Sequence, residues 1–351
     1  MKKVAEKVAT MLEKWRESKM FDGHGRQIHY LRISVTDRCN LRCRYCMPEE
    51  GIEALRHEDM LTYDEIQRVV KIMAKLGVNR IRLTGGEPLV RKDMDVLVRG
   101  LKAIEGIDSL FMTTNGILLE EMGLKLVEAG VDGLNISLDT LDPERFYQIT
   151  RRNQFQAVWQ GLQKVCTLPY QSIKINCVLS PEGHLEDWLE VAQLAQDYPI
   201  DVRFIEWMPI AGEAHREAIS SSKMLDALSH RFGRMLCEGT RKNNGPAEYW
   251  QIEGFKGKIG FIHAMSHQFC ESCNRIRLTA TGDLKLCLFY DVGIALRPML
   301  RDGSTDEKIE KAILAAIQHK PQKHMGKIEN IESQTFKKCI SHSNGMYAIG
   351  G

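Results

Sequence analysis

Short runs rich in β-branched residues alternate with longer amphipathic segments between residues 30 and 207. The short runs predict six strands, and apolar residues at helical spacing between them predict five helices. The strands are predicted over 30–36, 79–84, 108–114, 132–138, 172–178 and 201–207, and the helices over about 63–76, 92–104, 119–129, 154–166 and 185–196. Six β–α units in series predict an α/β fold with a parallel sheet and right-handed crossovers. Their number favours a partial (β/α)6 barrel of the TIM type over a small open sheet.

The pattern changes after about residue 210. A helix is predicted over 220–232, then short strands with glycine turns, and another helix near 306–318. At the other end of the chain, apolar residues from Val4 to Trp15 fall at helical spacing. We therefore expect four parts: an N-terminal helical extension (1–21), the barrel (22–210), a C-terminal lobe of hairpins (211–340) and a Gly-Gly tail (341–351).

Composition narrows the class of protein. The chain has 351 residues, of which 43% are apolar, which is enough to bury a large core. The 48 basic and 46 acidic residues leave a net charge of +2, so no global field indicates a nucleic acid or membrane partner. No apolar run approaches the roughly 20 residues of a membrane span. The ten cysteines, without a signal peptide, predict a cytoplasmic protein whose thiols serve metals or catalysis.

Polar residues and glycines follow the predicted barrel strands at their carboxyl ends, where parallel barrels carry their chemistry. The first strand leads into DRCNLRCRYCMPEEG, the second into TGGEPL, the third into TTNG and the fourth into SLDT. Strand five carries Lys174, and strand six carries Arg203 with Met208 just beyond it. We expect one active site at this rim.

The loop after the first strand holds three cysteines, Cys39, Cys43 and Cys46. Soft thiolates suit an iron–sulfur cluster or zinc. Three protein ligands leave one coordination position for an exogenous ligand, as in catalytic metal sites. On this triplet alone, zinc remains an alternative to a cluster.

A second triplet, Cys270, Cys273 and Cys287, lies in the predicted C-terminal lobe. It could hold zinc, with His263 or His267 as the fourth ligand, or a second cluster open toward a substrate. Arg275 and Arg277 follow closely, and residues two apart in a strand share one face. Paired guanidinium groups on one face suit phosphates.

The two triplets and their surroundings resemble a known family. C-x3-C-x2-C after a first strand, followed by GGEP, resembles the radical S-adenosylmethionine (SAM) superfamily. CNLRCRYCMP, LTGGEPLVR, FCESCNRIRLTATGDLKLCL and the terminal Gly-Gly together resemble its GTP 3′,8-cyclase family of molybdenum cofactor biosynthesis, from about residue 22 to 351. The resemblance implies two four-iron, four-sulfur (4Fe–4S) clusters, one on each triplet. SAM would bind the open iron of the first, and the guanine of GTP that of the second.

The resemblance also implies a reaction. SAM is cleaved to a 5′-deoxyadenosyl radical, which takes hydrogen from C3′ of GTP, and C3′ then bonds to C8 of the guanine. The product of this lyase is (8S)-3′,8-cyclo-7,8-dihydroguanosine 5′-triphosphate, which a separate pterin-forming synthase consumes. The family is often dimeric, so a homodimer is expected; the reductant protein is not implied.

Carried over position by position, the resemblance assigns site residues in three groups. The SAM contacts are Tyr45, Gly86, Ser137 and Met208. The GTP contacts are Arg32, Arg82, Thr113, Lys174, Arg203, Arg275, Ile276 and Arg277. Catalytic roles fall to Arg32, Gly350 and Gly351. Independently, four of these cations lie on four barrel strands, so a barrel can direct them at one triphosphate of charge about −4. Glu87 is expected to accept a hydrogen bond from the SAM ammonium group.

Two other readings stay open at this point. One is a different radical SAM enzyme with an auxiliary iron–sulfur cluster, such as a peptide-modifying maturase. The other is a non-catalytic iron–sulfur or zinc scaffold. An electron carrier of that kind would be expected to hold each cluster with four cysteines and would have no use for GGEP.

Overall fold

The computed structural model describes residues 20–53, 55–208, 218–240, 245–266 and 269–324. Twelve strands form one sheet in the order β12-β11-β10-β1-β2-β3-β4-β5-β6-β9-β8-β7. They are β1 (Tyr30–Ser34), β2 (Arg80–Thr84), β3 (Ser109–Thr114), β4 (Gly133–Ser137), β5 (Ser172–Leu179), β6 (Asp201–Glu206), β7 (Met235–Thr240), β8 (Glu248–Ile252), β9 (Ile259–Ile262), β10 (Arg275–Leu278), β11 (Asp283–Lys285) and β12 (Gly293–Ala295).

The α-helices of the described residues lie between and after these strands. They are α1 (Tyr63–Lys75), α2 (Met94–Lys102), α3 (Leu119–Ala129), α4 (Pro143–Thr150), α5 (Phe155–Cys166), α6 (Leu185–Asp197), α7 (Ser221–Phe232), α8 (Arg297–Arg301) and α9 (Asp306–Ile317). Within the described ranges, none of these helices combines the length and the apolar character that a membrane crossing requires.

Strands β1 to β6 are neighbours in chain order, and each pairs in parallel with the next. This arrangement confirms the predicted α/β fold with a partial barrel. The predicted strands and helices of this part agree with the structure to within about two residues at each end, which is the ordinary scatter of element boundaries.

Alternation along the strands separates the core from the barrel interior. In β1, Leu31 and Ile33 pack in the apolar core under the helices, whereas Tyr30 and Arg32 lie on the opposite face. The helices bury one apolar stripe each, such as that of α1, which begins with a capping box between Thr62 and Glu65. Burial of each large apolar side chain contributes about 1.5–3 kcal/mol to the stability of the fold. The core therefore holds the strands that carry the polar groups of the barrel interior in fixed positions.

The C-terminal strands differ from the separate lobe that the sequence predicts. They do form antiparallel hairpins, β7-β8-β9 and β10-β11-β12. However, β9 pairs in parallel with β6, and β10 pairs in parallel with β1. The hairpins therefore extend both edges of the barrel sheet. The domain boundary at 210/211 stays a prediction, and residues 1–19 of the extension and the tail 341–351 lie outside the described residues.

Four elements were not predicted: α4, α8, β7 and β12. Helix α4 has only eight residues, and its signals are local: the Asp142 side chain accepts a hydrogen bond from Arg145 N at 2.8 Å, and Pro143 occupies the first helical position. The helix ends at Arg151, a non-glycine residue with φ of 55°. Its position matters, because it supports the first cysteine loop.

Candidate active site

The first cysteine loop is held by the carboxyl end of α4. Arg42 N donates to Thr150 O at 2.9 Å, and Arg44 N donates to Ile149 O at 3.0 Å. The Arg151 guanidinium donates back to Arg42 O at 3.0 Å. Orphan carbonyls at a helix end need donors, and here the loop supplies them. Loop and helix thus fix each other beside the end of β1.

The three thiols of this loop lie close enough to affect one another. The Cys39 Sγ accepts hydrogen bonds from Leu41 N at 3.4 Å and from Asn115 Nδ2 at 3.8 Å. Burial raises the pKa of the Cys43 thiol, and the neighbouring Cys46 and Cys39 thiols raise it further. Three thiolates here need positive charge, which iron supplies. The donor set therefore fits a thiolate-bound cluster.

The geometry does not match a single-ion site. Among the described residues, no three His, Cys, Asp or Glu side chains come together as the ligands of one metal ion. The thiolates of an iron–sulfur cluster bind different irons, so they need not converge on one point. The zinc alternative therefore gains no support at either triplet from the described residues. His267, one of its candidate ligands, lies outside them.

The GGEP loop packs directly against the cysteine loop. Gly86 N donates to Thr36 O at 2.8 Å, and Glu87 N donates to Arg38 O at 2.8 Å. A Cβ atom on Gly86 would lie 2.4 Å from Arg38 O, so a larger residue would push the two loops apart. Glycine is required here by the contact between the loops.

The Glu87 carboxylate, predicted to accept a hydrogen bond from SAM, also has partners within the protein. It is 1% exposed, and both of its carboxylate oxygens already accept hydrogen bonds. Thr114 Oγ1 donates to Oε1 at 2.7 Å, and Asn115 N donates to Oε2 at 2.6 Å. Burial raises the pKa of Glu87 to about 7. The residue thus joins the GGEP loop to the end of β3, and its contact with SAM stays a prediction.

The four predicted SAM contacts lie along the carboxyl ends of the barrel strands. Tyr45 OH donates to Asp139 Oδ2 at 2.7 Å, and its ring meets Trp207 edge-on with centroids 6.1 Å apart. Ser137 ends β4, Met208 follows β6, and Gly86 of the GGEP loop lies against the start of the cysteine loop. The structure places these residues on one rim; SAM binding by them stays a prediction.

Seven cations face the barrel interior as one group, here called the basic cluster: Arg32, Arg82, Lys174, Arg203, Arg275, Arg277 and Lys285. Arg277, Arg32 and Arg82 lie directly opposite one another on β10, β1 and β2. Lys285 of β11 lies opposite Arg277 and is 2% exposed. Lys285 was not predicted as a site residue, although it ends β11 two residues before Cys287.

The remaining members come from the far side of the barrel. Arg203 Nη2 donates to Asn176 Oδ1 at 2.5 Å. Burial lowers the pKa of Arg203, and Arg82 adds to that effect across the interior. Lys174 Nζ donates to the hydroxyl of Tyr249, a residue of β8, at 3.1 Å. The predicted cations of β1, β2, β5 and β6 are thus brought together, as the barrel argument requires.

Assembling these charges is electrostatically costly. Burial and the neighbouring Arg277 lower the pKa of Arg32. Burial and Arg275 lower the pKa of Arg277 to about 10. Lys174 lies 3.5 Å from the Asp201 carboxylate and Lys285 lies 2.8 Å from that of Asp291, but the neighbouring buried arginines repel one another unless more counter-charge is present. The cluster is therefore arranged for a polyanion.

Tyr30, which the sequence argument did not single out, lies inside the basic cluster. Arg82 Nε donates to Tyr30 OH at 2.5 Å, and Arg82 Nη1 reaches Thr113 Oγ1 at 3.5 Å. Burial opposes ionisation of Tyr30, but the charges of Arg82 and Arg32 outweigh it and lower its pKa to about 8. Its position two residues before Arg32 could have identified Tyr30 as a site residue, because residues two apart in a strand share one face.

The second triplet borders the basic cluster. Cys270 and Cys273 bracket a short turn before β10, and Cys287 follows β11. Burial would raise the pKa of the Cys273 thiol, but the charges of Lys320 and Arg275 outweigh it and hold that pKa below its ordinary value. This electropositive setting fits a thiolate-bound group.

The structure limits the predicted role of Ile276. Its side chain is fully buried in the apolar core. Arg275 and Arg277, one residue to either side, lie on the opposite face of β10. Only the main chain of Ile276 is therefore available to a ligand of the basic cluster.

The barrel, with a three-cysteine loop braced by GGEP at the end of its first strand, is that of a radical SAM protein. A model of the Radical SAM superfamily matches residues 33–202. A second model, Molybdenum Cofactor Synthesis C, matches residues 200–326. The chain belongs to the GTP 3′,8-cyclase family. It is a radical SAM enzyme, and this superfamily works with a 4Fe–4S cluster and SAM.

Curated relatives support this membership over nearly the whole chain. The GTP 3′,8-cyclase of Clostridium perfringens is 43% identical over 334 residues, covering 95% of this chain and 100% of the relative. That of Pelotomaculum thermopropionicum is 43% identical, covering 87% and 95%. Molybdenum cofactor biosynthesis protein 1 of Mus musculus is 42% identical, covering 87% of this chain and 48% of the relative.

Among solved structures, SuiB of Streptococcus suis is similar in fold. The TM-score is 0.57 at 15% sequence identity, covering 85% of this chain and 68% of SuiB. At that identity the likeness concerns the fold alone.

Proposed function

We propose that this protein converts GTP to (8S)-3′,8-cyclo-7,8-dihydroguanosine 5′-triphosphate, the first step of molybdenum cofactor biosynthesis. The basic cluster is the observation that carries this proposal beyond family membership. Its cations come from six strands, among them β1, which leads into the first cysteine triplet, and the adjacent β10, which follows Cys273 of the second. A nucleoside triphosphate supplies the negative charge that such a cluster requires.

The first triplet forms the SAM half of the proposed site. Cys39, Cys43 and Cys46 would hold a 4Fe–4S cluster, which with SAM supplies radical chemistry at C3′ of the ribose. Tyr45, Gly86, Ser137 and Met208 would hold SAM on the same rim. The chain's own contribution is rigidity, because Glu87 and α4 keep the two loops in contact.

The basic cluster forms the GTP half of the proposed site. Arg32, Arg82, Thr113, Lys174 and Arg203 would bind the triphosphate from the barrel side, and Arg275 to Arg277 from the C-terminal side. Arg32 lies at the junction of the two sides, opposite both Arg82 and Arg277. Charged donors fixed in advance hold a substrate without reorganisation during the reaction.

The second triplet is proposed to hold a second 4Fe–4S cluster that binds the guanine. Cys270, Cys273 and Cys287 are adjacent to the cations that would bind the triphosphate, so base and phosphates can be held at once. Gly350 and Gly351 are proposed to reach the site and to support the reaction; they lie outside the described residues.

Partners and location follow from the proposed reaction. The product requires a pterin-forming synthase, and the reaction requires a reductant protein of unidentified type. A cytoplasmic location is expected, because iron–sulfur clusters on free thiols suit a reducing compartment. A homodimer is expected from the family resemblance. A nucleic acid partner is not expected.

An anaerobic assay with reductant, SAM and GTP tests the function. It should yield 5′-deoxyadenosine and a cyclised guanosine triphosphate, and ATP in place of GTP should yield no cyclised nucleotide. SAM cleavage with GTP returned unchanged would favour a different radical SAM activity, such as peptide modification. About eight irons per chain fits two clusters, whereas zinc at the second triplet would contradict the proposed GTP site.

A further inference from the structure

Lys320 is a buried cation outside the residues given a role above. It follows α9 and is 3% exposed. Its Nζ donates to Arg275 O at 3.0 Å and to Leu286 O at 2.5 Å. Arg275 lies two residues after Cys273, and Leu286 precedes Cys287. One ammonium group therefore joins the two chain segments that carry these cysteines.

The segment that contains Lys320 is itself locked onto the second triplet. Arg26 donates to Cys270 O at 2.7 Å, to Gln322 O at 2.8 Å and to Pro321 O at 2.7 Å. The main-chain N–H of His324 hydrogen-bonds the Cys270 thiol. Each part of the triplet is thus tied to residues 320–324.

The two buried cations differ in their counter-charge. Arg26 Nε donates to the Asp22 carboxylate at 2.6 Å. Lys320 contacts two carbonyl oxygens, and no carboxylate of the described residues pairs with it. A buried ammonium group is stable only when opposite charge is near. The second triplet is placed to provide it, because the carbonyl groups that bind the Lys320 ammonium group belong to Arg275 and Leu286, close in sequence to Cys273 and Cys287.

We propose that Lys320 is a positioning residue of the second triplet, which aligns the segments bearing Cys273 and Cys287 and offsets the negative charge of the group that they hold. This inference rests on the proposed second cluster. Groups that hydrogen-bond or orient metal-ligand segments typically change metal affinity by about 10–100-fold when removed.

Anaerobically reconstituted wild-type protein is compared with Lys320→Met, Lys320→Gln and Lys320→Arg. Lys323→Met is the matched control, because it removes an exposed lysine from the same segment. Iron content, loss of iron to a chelator and the reduction potential of each cluster are measured, together with circular dichroism.

The neutral variants should lose the second cluster to chelator about 10–100-fold faster than wild type. Removal of a positive charge should also shift its potential to more negative values, because the reduced cluster is more anionic. Lys320→Arg should stay near wild type in potential, and Lys323→Met should match wild type throughout. The first cluster should be unchanged in every variant.

Three outcomes would overturn the inference. If the second cluster keeps the wild-type reduction potential in the neutral variants, the charge role is refuted and the proposed function stays intact. Equal loss of both clusters or of the fold would make Lys320 a general structural residue. Wild-type protein with only about four irons per chain would remove the second cluster, and with it both this inference and the proposed GTP site.

Discussion

Arg32 and Arg277 lie directly opposite each other on the paired parallel strands β1 and β10. Two guanidinium groups in that relationship repel, so neither is explained by the stability of the protein alone. The junction of the barrel with the C-terminal strands is therefore organised around an anion, and the proposed triphosphate supplies one.

The first prediction concerns this pair. Arg277→Met keeps an apolar stem and removes one charge, so the thermal unfolding midpoint of the ligand-free protein should not fall, because repulsion of about 0.2–1 kcal/mol is relieved. GTP affinity should drop roughly 10–100-fold, as expected for loss of a charge-assisted contact. Calorimetric titration measures the affinity.

Arg99→Met is the control for that experiment, since Arg99 pairs with Asp95 on the exposed side of α2. Arg99→Met should change neither the thermal unfolding midpoint nor the GTP affinity appreciably. A large loss of thermal stability in Arg277→Met with unchanged GTP affinity would make Arg277 a structural residue.

The second prediction is a pH dependence from Tyr30. Its pKa is lowered to about 8, so its hydroxyl ionises as the pH rises through that value and neutralises part of the basic cluster. GTP affinity should therefore fall with rising pH near 8, and bound GTP should shift the tyrosinate absorbance step to higher pH. Both effects should be absent in Tyr30→Phe.

Tyr147→Phe serves as the comparison for Tyr30, because Tyr147 is 50% exposed and far from the cluster in sequence. It should retain the wild-type pH profile. The same pH dependence in Tyr30→Phe as in wild type would assign the titration to another group.

The third prediction concerns the support of the first cysteine loop. Arg151→Ala removes the hydrogen bonds to Arg42 O and Met47 O, so the loop should release iron to a chelator several-fold faster. Arg152→Ala is the control, because that exposed side chain donates only to Arg151 O among the described residues.

Arg151→Gly separates the contact from the backbone strain at φ of 55°. Glycine relieves the left-handed conformation but cannot make the contacts. Iron release as fast as in Arg151→Ala would assign the effect to the hydrogen bonds. Release at the wild-type rate would contradict the supporting role of the hydrogen bonds.

The fourth prediction separates the two triplets. Cys287→Ser removes a thiol from the second triplet only, so SAM cleavage should persist while GTP turnover is lost. Cys237→Ser, which changes an exposed free cysteine of β7, should leave both activities intact. Parallel measurement of 5′-deoxyadenosine and cyclised nucleotide checks this, and equal loss of both in Cys287→Ser would contradict the division of roles.

Local patterns predicted the barrel well, because each strand and helix carries its own signal. Strand β2 and helix α1 are examples in which alternation or a 3.6-residue period is complete within one element. Helix α4 escaped prediction because its eight residues are too few for a clear period, even though Asp142 and Pro143 mark its start.

Relationships between distant segments were harder to predict. The parallel pairing of β10 with β1 depends on register, which no local pattern records, so the C-terminal strands were expected in a separate lobe. Lys285 and Lys320 were missed for a related reason, since one reaches the site by pairing with β10 and the other through the carbonyl groups of Arg275 and Leu286.

The attachment of the C-terminal hairpins to both edges of the barrel sheet also affects how the protein folds. Strand β1 (Tyr30–Ser34) is synthesised long before its partner β10 (Arg275–Leu278). Contacts of such long sequence separation slow folding, and an edge strand without its partner is open to pairing with other chains. The nascent barrel therefore exposes the unpaired edges of β1 and β6 until β10 and β9 have been synthesised. We expect the yield of folded protein in cells to depend on chaperones that cover these edges.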